Sequence, residues 1–203
     1  MTASAGIAAG ADASTPDRIL DAAEALVAER GVDAVSLRAV NTAAGANVAS
    51  AHYHFGSKDA VLEAVLRRRM RVLAARRDEL VATLARDPEP SPRDTVAALV
   101  TPLVEFAEHD AAGLVYIRFL AALSRSAASR ALIGDAFSVQ YSRFVEQLER
   151  ALPEIPVEVL TFRLGLAGRS IIECLAESGT GRADALVDYV TGALAAPVQG
   201  GSR

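Results

Sequence analysis

The chain has 203 residues, of which 51% are hydrophobic and only 5% aromatic, and its formal net charge is −4. A chain of this length and composition can bury a sizeable core. It contains no apolar run of the roughly 18 uncharged residues that cross a membrane, because Arg118 interrupts the best candidate at residues 110–124. The single cysteine, Cys174, cannot form an intrachain disulfide, so we expect a reducing, cytoplasmic location.

The first helix is predicted over residues 15–30. Residues 1–14 before it are rich in Ala, Gly and Ser, and this composition indicates a flexible tail. They lack the basic start of a secretory signal. Thr15 can cap the helix, with Pro16 at its first position, and Gly31 can end it. Its apolar stripe consists of Ile19, Ala22, Ala23, Leu26 and Val27.

Two short helices with a tight turn between them are predicted next, over residues 36–44 and 47–54. Ser36 can cap the first, Gly45 can adopt the left-handed conformation that ends it, and Asn47 can cap the second. A turn this tight joins two helices at a steep angle, as in DNA-reading elements. The core of the resulting three-helix head is predicted to contain Ile19, Leu26, Leu37, Val40, Val48 and Phe55, with Ala51 also facing inward.

A long helix is predicted from Lys58 to about Ala85, with Ser57 as its cap. At 1.5 Å per residue it would span roughly 40 Å and could connect the head mechanically to the rest of the chain. Residues 1–58 carry more acids than bases, so positive charge facing DNA must be placed locally. The long helix itself carries a cluster of arginines: Arg67, Arg68, Arg69, Arg71, Arg76 and Arg77.

The proline-rich segment at residues 87–94 is the clearest break in the chain. Beyond it, helical patterns cover residues 93–109, 112–125, 128–151, 156–178 and 183–195. No alternating strand pattern of useful length occurs, so the predicted fold class is all-α. The expected organisation is a head over residues 15–57, a helical domain over residues 58–196 and a short tail over residues 197–203.

Two segments within residues 15–66 have a distinctive pattern: TPDRILDAAEALVAERGVDAVSLRAV at residues 15–40 and HYHFGSK at residues 52–58. They resemble, respectively, the first helix with the start of the second, and the closing motif, of the TetR (tetracycline-repressor-like) family of bacterial transcription regulators. The resemblance covers residues 15–66. The resemblance implies a DNA-binding head with a helix-turn-helix, joined by the long helix to a ligand-binding and dimerisation domain.

The second helix of the pair is expected to enter the major groove of DNA with its N-terminal residues nearest the bases. Asn41, in the helix before it, is expected to face either the DNA backbone or solvent. The expected base contacts are Asn47, Ala49, Ser50 and Tyr53, and the expected phosphate contacts are Ser36, Arg38, His52 and Lys58.

The last two predicted helices carry apolar faces that could form the internal core or, as the resemblance implies, pair with a second copy across a two-fold axis. Gly165, Ala167 and Gly168 would allow close approach of another helix. A homodimer would read a roughly palindromic operator. The two faces consist of Val157, Leu160, Leu164, Ile171 and Leu175, and of Leu186, Val190, Ala193 and Leu194.

Polar residues on otherwise apolar helices are candidate contacts for a small-molecule effector, whose pocket the resemblance implies. Each of them could equally lie at the surface or in a buried ion pair. The candidates are His109, Tyr116, Arg118, Tyr141, Arg163, Arg169 and Glu173.

No enzyme signature, cofactor motif or metal site is found. His52 and His54 stand two positions apart, roughly 200° around a helix, so they cannot bind one ion together. The favoured hypothesis is a repressor that a small molecule releases from DNA, with an activator or an effector-independent regulator as variants. The alternative from another class is a helical ligand-binding or catalytic protein whose head has lost DNA binding.

Overall fold

The computed structural model describes residues 14–109 and 111–198, and in these residues the chain forms nine α-helices and no strand. The predicted all-α fold is confirmed. Apart from Ser14 and residues 197–198, the two predicted tails lie outside the described residues. The helices are α1 (Thr15–Arg30), α2 (Leu37–Ala43), α3 (Ser50–Phe55), α4 (Lys58–Arg86), α5 (Pro92–His109), α6 (Ala111–Arg125), α7 (Arg130–Ala151), α8 (Val157–Ser178) and α9 (Ala183–Ala195).

Serine side chains begin three of the first four helices. The hydroxyl of Ser36 accepts a hydrogen bond from the backbone N–H of Ala39 at 3.2 Å, and that of Ser57 accepts one from Ala60 at 3.1 Å, as predicted. Helix α1 begins differently, because the cap is Ser14 and Thr15 is already the first helical residue. Each hydroxyl satisfies a backbone donor that the first turn of a helix leaves without a partner.

Helix α6 lies at the centre of the molecule. It packs against α1 of the head and against α5, α7 and α8, and α9 packs on the opposite side of α5 and α8. Its side chains Phe119, Leu120 and Leu123 are fully buried. Gly113 allows the close approach of α5, because an added Cβ would lie 1.9 Å from the carbonyl oxygen of Phe106. The head and the helical domain therefore share one continuous core.

A buried carboxylate connects the head to α4. Glu24 of α1 is 1% exposed and accepts hydrogen bonds from Arg68 at 3.1 Å and from Arg69 at 3.0 Å, and Arg68 also pairs with Asp21. Arg76, further along α4, pairs with Glu79 and Glu105. These arginines of α4 therefore hold the protein together and do not supply charge toward DNA. None of the helices described here is long and apolar enough to span a membrane.

Candidate functional sites

Asn41 fixes the angle between α2 and α3. Its side chain is 2% exposed, its Nδ2 donates to the carbonyl of Val48 at 2.6 Å, and its Oδ1 accepts from the N–H of Ala51 at 2.9 Å. Gly45 has φ of +59°, the left-handed conformation predicted for it. The expectation that Asn41 faces DNA or solvent is wrong, because its buried side chain hydrogen-bonds to the carbonyl of Val48 in the turn before α3 and to the buried N–H of Ala51 in α3.

Helix α3 begins at Ser50, three residues later than predicted. Asn47 closes the preceding turn instead of capping the helix, since its Oδ1 accepts from the N–H of Ala49 at 3.2 Å. This turn leaves Val48 71% exposed, so its predicted place in the core is wrong, whereas Ala51 is fully buried as predicted. Phe55 packs at the edge of the core.

The expected base contacts lie at the surface, in α3 and in the turn before it. Asn47, Ala49 and Tyr53 are exposed, Ser50 is half-buried at the start of α3, and the exposed Val48 lies between them in the chain. The ring of Tyr53 packs edge-on against His54, with ring centres 5.1 Å apart. This surface presents amide, hydroxyl and methyl groups, the types that read base edges in the major groove.

Lys58 differs from the other expected phosphate contacts. Ser36, Arg38 and His52 are exposed, but Lys58 is half-buried and its Nζ donates to the carbonyls of Val32 at 2.6 Å and Val35 at 2.9 Å. Two of its three ammonium donors thus hold the loop between α1 and α2 against the start of α4. Its contacts within the head give it a positioning role that the sequence pattern does not reveal.

A cavity of about 550 Å³ lies among α4, α5, α6, α7 and α8. Most of its wall is apolar, with residues such as Leu103, Leu120 and Phe144. Two of the predicted effector residues line it, Tyr141 and Arg169. The hydroxyl of Tyr141 donates to the carbonyl of Thr161.

The other predicted effector residues lie elsewhere. His109 and Arg118 are exposed, and Tyr116 is fully buried between the rings of Phe106 and Phe119. Arg163 donates to the carbonyls of Leu194 and Ala196 and so closes the end of α9. Glu173 pairs with Arg125 at 2.8 Å. The structure therefore does not gather these five residues at the cavity.

Arg77 is the cavity residue that the sequence reasoning missed. It is 3% exposed, and its Nε and Nη1 have no hydrogen-bond partner among the described residues. Its guanidinium lies 5.1 Å from the ring centre of Phe137, another cavity residue, and burial lowers its pKa. A signal was present, because Arg77 interrupts the buried apolar stripe of α4 that Leu66, Met70 and Leu73 begin at helical spacing.

The apolar faces predicted for dimerisation are mostly inside the protomer. The leucine and isoleucine residues named on α8 and α9 are buried, while Gly165 and Gly168 line the cavity. Of the two alternatives, an internal core is confirmed for these residues and an interface formed by them is wrong, because they cover α5, α6 and α7 of their own chain. The exposed apolar residues on these two helices are Val157, Phe162, Leu166 and Tyr189, with the small Ala193 also exposed.

Family comparisons agree with this architecture. Residues 19–65 match the model of bacterial regulatory proteins of the TetR family, and residues 97–195 match the model of the tetracyclin repressor-like C-terminal domain. The chain belongs to the TetR family. This TetR-family protein is a DNA-binding transcriptional regulator, and α2 and α3 form the helix-turn-helix of its head. No curated protein sequence matches it significantly.

Solved structures share the fold. A putative TetR-family transcriptional regulator from Rhodococcus sp. is 16% identical with a TM-score of 0.65, covering 90% of this chain and 97% of that one. The fatty acid degradation regulator FadR from Bacillus halodurans is 16% identical with a TM-score of 0.63, covering 94% and 99%. FadR from Bacillus subtilis, in complex with stearoyl-CoA, is 13% identical with a TM-score of 0.62, covering 90% and 98%. At these identities the likeness shows the fold.

No cluster of His, Cys, Asp or Glu that could hold a metal occurs in the described part of the chain.

Proposed function

We propose that this regulator is a homodimeric cytoplasmic repressor, not an enzyme, that leaves its operator when a small molecule enters the cavity. Helix α4 carries this proposal, because its first residue, Lys58, holds the head loop while Arg77 lies in the cavity wall. The two positions are 19 residues apart, roughly 28 Å along a helix. A ligand that prefers one position of α4 would thereby move the head, provided that it binds the released conformation more tightly.

The division of the chain follows from this arrangement. Residues 15–57 serve as the DNA-binding head, and residues 58–196 serve as the effector-binding and dimerisation domain. The surface of Asn47, Ala49, Ser50 and Tyr53, extended by the exposed Val48, contacts bases. The exposed side chains Ser36, Arg38 and His52 contact phosphates, and Lys58 contributes its remaining ammonium N–H.

DNA titration at several salt concentrations tests the groove assignment. The protein is titrated against its own upstream intergenic DNA, and a specific complex with a steep salt dependence is expected. Arg38→Ala should weaken binding to all sequences and reduce the salt slope by about one, whereas Ser50→Ala should change preference at one base position. Equal behaviour of the two variants would refute the assigned geometry, and no sequence preference at any salt would refute the regulator's operator binding.

The dimer is proposed to form through the outer stripe of α8 and α9. Phe162 and Leu166 lie one turn apart on α8, and Tyr189 lies on α9 beside Ser170 and Cys174 of α8, where all three line one shallow groove. Large exposed apolar side chains on adjacent helices favour burial against a second copy. Two heads held this way can reach successive major grooves about 34–36 Å apart.

Light scattering of two variants tests this interface. Phe162→Glu should convert the dimer to monomers and greatly weaken operator binding, because it places a charge in the centre of the apolar stripe. Val72→Glu is the matched control, since Val72 is 59% exposed but lies on α4, away from the α8 and α9 stripe. A dimer that survives Phe162→Glu unchanged would contradict the proposed interface.

Reporter transcription distinguishes repression from activation. A promoter that contains the bound operator should be silenced when the protein is present and restored when the protein is removed. Lower transcription after removal would show an activator.

A further inference from the structure

The cavity combines an apolar wall with unbalanced positive charge. Three arginines line it, Arg77, Arg130 and Arg169, and none of the described lining residues is Asp or Glu. The chain as a whole is acidic, with a net charge of −4, so this local excess of cations is not a property of the composition. A concave site lined by one sign of charge attracts ligands of the opposite sign.

Of these three arginines, Arg77 is the one that is buried. Its side chain is 3% exposed, and its buried Nε and Nη1 donate to no acceptor among the described residues. A buried cation without an anion is strongly unfavourable, and an anion that reaches it restores much of the lost interaction. Arg130 and Arg169 are exposed at the cavity opening, where water screens them.

None of the described carboxylates forms a hydrogen bond or an ion pair with Arg77. Glu173 accepts a hydrogen bond from the cavity residue Ser124 at 3.3 Å, but its other carboxylate oxygen accepts from Arg125 at 2.8 Å. Glu24 is held by Arg68 and Arg69. The hydroxyl of Tyr116 is buried without a partner in the described part of the chain, and it is close enough to Arg77 for the two groups to influence each other's pKa.

We propose that the cavity binds an amphiphilic monocarboxylate, with its carboxylate on Arg77 and its apolar body along Leu99, Leu103, Leu120, Ile133 and Phe144. This inference rests on the proposed effector role of the cavity and names the chemical class of the ligand. The volume of about 550 Å³ is in the range of small-molecule sites. One buried guanidinium balances one negative charge, so a single carboxylate matches Arg77.

The position of Arg77 on α4 gives the carboxylate a route to the head. The ligand charge would be bound by the same helix whose first residue, Lys58, holds the loop between α1 and α2. An uncharged molecule of the same shape would fill the apolar part of the cavity without this attachment to α4. The ligand class and the response of the head are thus linked through one side chain.

Calorimetric titration without DNA tests the ligand class. The probes are decanoate, decanamide and decylamine, which share the apolar chain and differ in the head group, with hexanoate and tetradecanoate and their amides as length controls. The native protein should bind the carboxylate of the best length about tenfold or more tightly than its amide, and the amine more weakly than either. Arg77→Met, checked for folding by circular dichroism, should bind the carboxylate and the amide within about twofold of each other. Arg169→Gln is the matched control and should keep the carboxylate preference.

Several outcomes would overturn the inference. These are equal affinity for carboxylate and amide at every length, no binding of either, or an Arg77→Met variant that keeps the preference. A preference lost in Arg169→Gln but kept in Arg77→Met would place the anion at the cavity opening and equally overturn it.

Operator titration in parallel separates this inference from the proposed function. Specific DNA binding without a carboxylate preference refutes only the ligand class, whereas carboxylate binding that leaves operator affinity unchanged refutes only the effector role.

Discussion

Asn41 in the head and Arg77 in the helical domain are both buried polar side chains, but they differ in whether the folded chain gives them hydrogen-bond partners. Asn41 in the head is 2% exposed and both ends of its amide are hydrogen-bonded to α3 and its preceding turn. Arg77 in the helical domain is 3% exposed, and two of its nitrogens have no partner in the described residues. The head therefore fixes its own geometry, whereas the cavity keeps a charge that no described side chain balances.

Asn41→Leu should give the largest loss of stability of the changes considered. It removes the partners of the Val48 carbonyl and the Ala51 N–H while keeping the side-chain size, so we expect the free energy of unfolding to fall by about 3 kcal/mol. Operator affinity should fall as well, because α3 loses its attachment to α2. Urea denaturation and DNA titration measure the two effects. Thr42→Val is the control, since Thr42 is exposed, and it should change stability by less than about 0.5 kcal/mol.

Arg77→Met should act in the opposite direction. Replacing a buried unpaired cation by an apolar side chain of similar length should raise the free energy of unfolding by about 2 kcal/mol, as judged by urea denaturation. Arg71→Met, at an exposed position on the same helix, should leave it within about 0.5 kcal/mol. A loss of stability in Arg77→Met would mean that the guanidinium has a partner within the folded chain, and the contrast with Asn41 would disappear.

This contrast also explains what the sequence could predict. Helix bounds followed from local signals, such as the caps Ser36 and Ser57 and the glycine of the turn, because these act within a few residues. The exposure of Val48 could not be read from its spacing, because the turn before α3 shifts the helix start by three residues. Arg77 was counted among six arginines of α4, and only the packing of α5, α6, α7 and α8 shows that it is enclosed.

The same limit applies to α8 and α9. Apolar spacing on α8 and α9 correctly indicated buried faces, but spacing does not say which partner covers them. The fold assigns Leu160, Ile171 and Val190 to the core of their own chain and leaves Phe162 and Tyr189 outside. Which apolar face of a helix stays exposed can be identified only after the packing of the whole chain is known.

Lys58→Met tests whether the main partners of Lys58, like those of Asn41, lie within the folded chain. The change removes two donors from the carbonyls of Val32 and Val35, so we expect the free energy of unfolding to fall by about 1.5 kcal/mol. The salt slope of DNA binding should fall by less than about one, because only one ammonium N–H of Lys58 is left for a phosphate. Arg38→Met is the reciprocal control, with little change in stability and a slope reduced by about one. A large slope change in Lys58→Met with normal stability would show that phosphate contact is its main role.

Glu24 offers the smallest and most delicate test, because it is buried between the two regions and paired with Arg68 and Arg69 of α4. Burial raises its pKa above 4.5, against the opposing effect of Arg69 and Arg68. At a pH between the pKa of Glu24 in the unfolded chain and its higher pKa in the folded protein, the folded protein holds a proton that the unfolded chain has released. The stability that Glu24 contributes therefore rises as the pH falls through this range.

Glu24→Gln removes this titration and leaves the others in place. The free energy of unfolding of the native protein minus that of the variant should therefore increase when urea denaturation is repeated from about pH 7 to about pH 5. A difference that decreases over this range would show that the two arginines outweigh burial, in which case Glu24 is fully compensated like Asn41. An increasing difference places it between Asn41 and Arg77, as a buried charge whose partners in the chain only partly replace water.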